Sequence, residues 1–283
     1  MDKLIYVHIN IFLYCFILCC MANLSPLWLT VITSFLAFFI TSLGGAVVFF
    51  FKNINKTLMQ LILSFSAGIM IASSFFSLIL EAIEQSTTYG QNPGIIATLG
   101  IFAGIIFIII MEIAIEKWLN KKQKKLDDES TKKRKPIMST FAISLHNIPE
   151  GLCIGVAFAG ARMAGTHEAI IGAILLAVGI GLQNFPEGTS VSLPLYNAGF
   201  SKSKSFIFAM LSGIVEPFFA VMGYFFTDII ASLLPFCLTF AAGTMIAVSC
   251  IELLPESLSG NKNVATFGLG LGFCVMMLMD LLL

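Results

Sequence analysis

Long apolar stretches, separated by short polar breaks, run along most of this chain. Eight of them have the length of about 20 residues that a helix needs to cross about 30 Å of hydrocarbon. They cover roughly 27–51, 57–80, 94–116, 138–161, 168–193, 203–227, 231–254 and 264–283. Their apolarity is continuous rather than alternating, which predicts helices buried in lipid instead of half-buried strands. A further apolar run, Leu4 to Met21, precedes them. It reads equally as a signal peptide, a signal anchor or an extra span, and translation starting at Met21 is a fourth reading. The organisation expected is therefore an N-terminal apolar segment, 1–24, followed by one transmembrane domain, 25–283.

Composition agrees with an integral membrane protein: 58% of the 283 residues are hydrophobic and only 11% are charged. The connections leave no room for a catalytic domain outside the bilayer. Charge fixes the orientation. With the basic segment 119–137 in the cytoplasm, alternation of eight spans also places Lys52, Lys56, Lys202, Lys204 and Lys262 inside, and leaves Lys3 and Arg162 outside. That segment reads as a poorly patterned linker that sets topology, and a nucleic-acid partner is not expected. The seven cysteines show no metal-type spacing and no disulfide framework.

Two internal similarities follow. Phe65–Ser74 and Phe240–Ser249 agree at seven of ten positions, and beyond them Glu81 falls opposite Glu256. These stretches lie in spans two and seven, which cross in opposite directions, so the two halves read as inverted copies of the kind that recurs in secondary transporters. The second similarity lies between them. His146-Asn147-Ile148-Pro149-Glu150-Gly151 in span four is matched by Gln183-Asn184-Phe185-Pro186-Glu187-Gly188 in span five. The architecture predicted is all-α, eight transmembrane helices in a 3+2+3 arrangement.

A carboxylate near the bilayer centre costs roughly 2.5–3.5 kcal/mol on insertion scales, so a carboxylate kept there implies a function. Spacing of i and i+4 puts His146 with Glu150, and Gln183 with Glu187, on one helix face. Each proline removes a backbone donor and frees a carbonyl one turn earlier. Counted from the span ends at 1.5 Å per residue, these residues and Glu216 lie roughly 12–25 Å into the membrane. Imidazole, carboxylate and amide oxygen are the ligand set of Zn²⁺, Fe²⁺ and Mn²⁺. Three carboxylates without a basic neighbour call for a cation or protons among them. The candidate metal ligands are His146, Asn147, Glu150, Gln183, Asn184, Glu187 and Glu216. Met70 offers either a thioether ligand or core packing. Ser77 and Glu81 on the outer side, and Glu252 and Glu256 near the cytoplasmic end of span seven, are candidate pathway residues; the last two read equally as interfacial groups. Glu84 and Asp228 add acidic character to the outer face.

With these motifs the sequence resembles the ZIP (ZRT/IRT-like) metal transporters, and more narrowly their prokaryotic ZupT or GufA-type members, over about 27–283. The resemblance implies a homodimer of the cell (inner) membrane that brings Zn²⁺, and also Fe²⁺, Mn²⁺ or Cd²⁺, into the cytoplasm through a binuclear midplane site. It implies one position at His146, Glu150, Gln183 and Glu187, and a second at Asn147, Glu150, Asn184, Glu187 and Glu216. Asn184 stands where some relatives carry an aspartate, so the second position lacks one charge. The metal is expected as transported substrate, with no cofactor and no catalytic residue. The rival reading is an intramembrane metal-dependent hydrolase, which the lack of a His-Glu-x-x-His motif disfavours.

Overall fold

The computed structural model describes residues 24–52, 55–122, 128–227 and 231–282. The run 4–21, Lys3, Asp228 and the side chain of His146 lie outside the described residues, as do the side chains of most of the basic segment. No strand occurs among the described residues. Helix α1 covers Pro26–Ala46 and ends in a 3₁₀ turn, Val47–Phe50. Next come α2, Lys56–Thr88; α3, Pro93–Lys122; and α4, Asp128–Ala164. They are followed by α5, His167–Asn197; α6, Lys202–Phe225; α7, Leu234–Ser257; and α8, Lys262–Leu282.

Among the described residues, seven helices are long and apolar enough to cross a membrane. The expected fourth span falls within helix α4, some of whose side chains lie outside the described residues. The segment expected as a linker, 119–137, is helical where it is described. Helix α3 runs on to Lys122 and α4 already begins at Asp128. Lysine and glutamate are good helix formers, so a charged segment can extend a membrane helix into water.

Local signals set the helix ends. Ser25, Asn55, Thr166 and Ser201 each accept a hydrogen bond from the backbone three residues on, the N-cap arrangement that satisfies an orphan donor. The shortest of these bonds runs from Leu58 N to Asn55 Oδ1 at 2.7 Å. Asn55→Ala is expected to cost about 0.5–2 kcal/mol, readable as a lower melting temperature in detergent. An unchanged melting temperature would show that packing alone holds the start of α2.

Packing divides the helices into two groups. Helices α1, α4, α5 and α6 pack mainly on one another, whereas α2 packs on α8 and α3 on α7. The inverted repeat reappears in backbone detail. Both matching decapeptides end where the α-helix widens into a π-helix, at Ser74–Ile79 in α2 and at Ser249–Leu253 in α7. π-Bulges of this kind concentrate at functional sites. They carry Ser77 and Glu252, two of the expected pathway residues.

The last residue of each central motif explains how α4 and α5 seat against their neighbours. A Cβ on Gly151 would lie 2.4 Å from the Glu216 carbonyl oxygen of α6. One on Gly188 would lie 2.0 Å from the Thr41 carbonyl oxygen of α1. Only glycine permits such backbone contact, and it brings Glu150 beside Glu216.

Candidate metal site

Helix α6 consists of two segments, Lys202–Gly213 and Val215–Phe225. Pro217 has no N–H to offer the carbonyl of Gly213, and the helix is interrupted at this point. Glu216 therefore lies in the first turn of a new helix, where the helix dipole favours a negative charge. In α5 the motif begins at Gln183, midway along a helix that contains no lysine or arginine.

Asn147, Glu150, Gln183, Asn184, Glu187 and Glu216 are all fully buried. Two carboxylates are each held by an amide from α5: Gln183 Nε2 donates to Glu150 Oε1 at 2.5 Å, and Asn184 Nδ2 donates to Glu216 Oε2 at 2.7 Å. Ser73 Oγ of α2 donates to Gln183 Oε1, and Asn147 Nδ2 donates to the Ser212 carbonyl at 3.1 Å. The adjacent residues Gln183 and Asn184 thus connect α5 to α4 on one side and to α6 on the other.

Among the described residues, Asn147 Oδ1, Glu150 Oε2, Asn184 Oδ1 and Glu216 Oε1 are buried oxygens without a hydrogen-bond partner. Such atoms are rare in native interiors, because each forfeits solvation without replacement. Oxygens in this condition suit a hard or borderline cation. Among the described residues, however, no group of three or more His, Cys, Asp or Glu side chains is gathered closely enough to hold an ion. The amides lie between the carboxylates, and the side chain of His146 is outside the described set.

Met70 is fully buried within the main apolar cluster, where it packs with other core side chains. Ser77 donates to Asp280 Oδ1 of α8 at 2.6 Å. Glu81 is half-buried and lines a cavity of about 560 Å³ together with Glu84, Gln85, Tyr89 and Glu168. Glu252 is buried, and Glu256 lines a second cavity, of about 410 Å³, with Pro136, Pro194, Asn197 and Ser259.

Three polar partners were not assigned from the sequence: Ser73, Glu168 and Asp280. Asp280 carried a usable signal, a carboxylate inside an apolar run. Glu168 reads as an ordinary acidic residue in a first helical turn, and Ser73 as a small packing residue.

The fold and the site define a polytopic all-α membrane protein with a carboxylate-rich centre buried between helices. A model of the ZIP zinc transporter family matches residues 27–139 and 132–280. The chain belongs to this family. It is a transporter and not an enzyme, and nothing supports the hydrolase alternative. Among similar proteins is zinc transporter ZIP11 of Bos taurus, 30% identical over 90% of this chain and 97% of its own. Zinc transporter ZupT of Clostridium perfringens is 32% identical over 90% and 95%. The ZupT of Streptococcus mutans is 32% identical over 83% and 90%.

Proposed function

We propose that the chain imports divalent transition-metal ions, Zn²⁺ first and also Fe²⁺, Mn²⁺ and Cd²⁺, into the cytoplasm as a secondary carrier of the cell (inner) membrane. The observation that carries this reading is the buried pairing of Glu150 with Gln183 and of Glu216 with Asn184.

The ions bind between α4, α5 and α6. His146, Glu150, Gln183 and Glu187 make one position; Asn147, Glu150, Asn184, Glu187 and Glu216 make the other. Before the ion arrives, the two α5 amides donate to the carboxylates. As it binds, the amides turn their oxygens inward and the carboxylates exchange an amide donor for a cation. The two positions sit in an eight-span, 3+2+3 arrangement, and one helix group moves against the other to open the site alternately to each side. Glu81 gathers ions in the acidic outer cavity, Ser77 lies on the way in, and Glu252 and Glu256 lie on the way out. A potential of about 100 mV, inside negative, favours entry of a divalent ion by roughly 4–5 kcal/mol, so no nucleotide is needed, in keeping with the lack of a Walker-type loop. The spans least buried within the chain, α3 and α8, leave apolar faces for lipid or for the second copy of a homodimer.

The test is Zn²⁺ uptake into proteoliposomes with an imposed inside-negative potential. Saturable, potential-dependent uptake is expected. No uptake of any of the four metals by well-folded protein would remove the reading.

Asn184→Asp offers a sharper check. It replaces the donor to Glu216 with a second carboxylate, so the metal-free protein loses stability while Zn²⁺ binds at least about tenfold more tightly. Calorimetry and melting with and without chelator measure both effects. Equal affinity would place the ion away from Asn184.

A further inference from the structure

Beside the first motif lies a cleft of about 300 Å³, lined by Phe107 of α3, by Leu145, Pro149 and Leu152 of α4, and by Cys237 and Phe240 of α7 among others. Every lining side chain is apolar, and all of these but Pro149 are half-buried, so the cleft opens outward. Its surroundings are an exposed apolar surface of α3: Ile106 and Ile110, next to Phe107 and one turn beyond it, are exposed, as is Phe102.

The corresponding place in the other half of the repeat is packed by aromatic side chains. By the motif alignment Leu182 takes the position of Leu145, and by the repeat Phe65 takes that of Phe240. There Leu182 and Phe65 pack with Phe76 and Phe273 around Ile69, Ala72 and Met276. Water has no hydrogen-bond partner in the open cleft, and an unfilled apolar gap forfeits dispersion contacts along its whole lining. What the surrounding bilayer supplies is hydrocarbon.

We propose that this cleft binds a lipid acyl chain, wedged between ligand-bearing α4 and the α3–α7 pair. Its consequence for transport rests on the carrier reading. A chain held against Pro149 packs across the boundary between the two helix groups, and filling the cleft permanently slows their relative movement.

The experiment uses full-length protein in vesicles of phosphatidylcholine that carries a mid-chain diazirine, with labelled residues read by mass spectrometry. Wild type is expected to give saturable adducts at 145–152 and 236–240, beyond those on the exposed face at Phe102. Cys237→Trp, which fills the cleft, is expected to lose the former and keep the latter, so the Phe102 adducts also report that the variant is folded and inserted. Zn²⁺ uptake by the variant is expected to fall while Zn²⁺ binding is retained. Adducts that follow surface exposure alone, or that survive in Cys237→Trp, would overturn the site. Lost adducts with unchanged uptake would overturn its role in transport. Absence of uptake in wild type would count against the carrier reading and leave the labelling result standing.

Discussion

Glu150→Ala is expected to abolish saturable Zn²⁺ uptake, and Glu150→Gln to do the same. Glu150 is fully buried, receives one amide hydrogen bond and has a second oxygen without a partner among the described residues. A cation there depends on this charge, and removing one partner of a buried charged interaction costs about 3–5 kcal/mol, which corresponds to at least roughly 100-fold in affinity. The glutamine variant keeps the shape and removes only the charge. Uptake in Glu150→Gln near the wild-type rate would mean that Glu150 shapes the protein without holding the ion.

The second large effect belongs to the glycines that close the two motifs. Gly151→Leu and Gly188→Leu are expected to prevent folding. Even the first added carbon would meet backbone, at 2.4 Å from Glu216 O or at 2.0 Å from Thr41 O, so no side-chain rotation relieves the clash. Overpacking a core costs about 1–3 kcal/mol when side chains can give way, and more when they cannot. Gly160→Leu is the control, since nothing lies within 4 Å of a Cβ placed there. Elution of the three variants from size exclusion in detergent checks this: Gly160→Leu as wild type, the other two aggregated. Folded Gly151→Leu would show that α4 and α6 can separate freely.

Much of this architecture was legible in the sequence because lipid makes simple demands. A helix must be apolar for its full crossing, so the spans appear as runs. A costly carboxylate must have a reason to be there, so the motif at Glu150 and Glu187 stands out. Which groups meet was not legible. The pairing of Gln183 with Glu150 and of Asn184 with Glu216 depends on close helix approach at Gly151 and on the break at Pro217. The Ser77–Asp280 contact joins residues far apart in the chain through a π-helical turn that no local pattern announces. The helical start of α4 at Asp128 was not legible either, because a charged segment carries no apolar pattern and reads as linker.

The central claim is that metal binds through the α4–α5–α6 carboxylates, and zinc-edge X-ray absorption on the Zn²⁺-loaded, detergent-purified protein tests it most directly. The account predicts a first shell of nitrogen and oxygen alone, near 2.0–2.2 Å, with the outer scattering of an imidazole from His146, and loss of that shell in Glu150→Ala. A sulfur-containing shell, or one unchanged by Glu150→Ala, would contradict it.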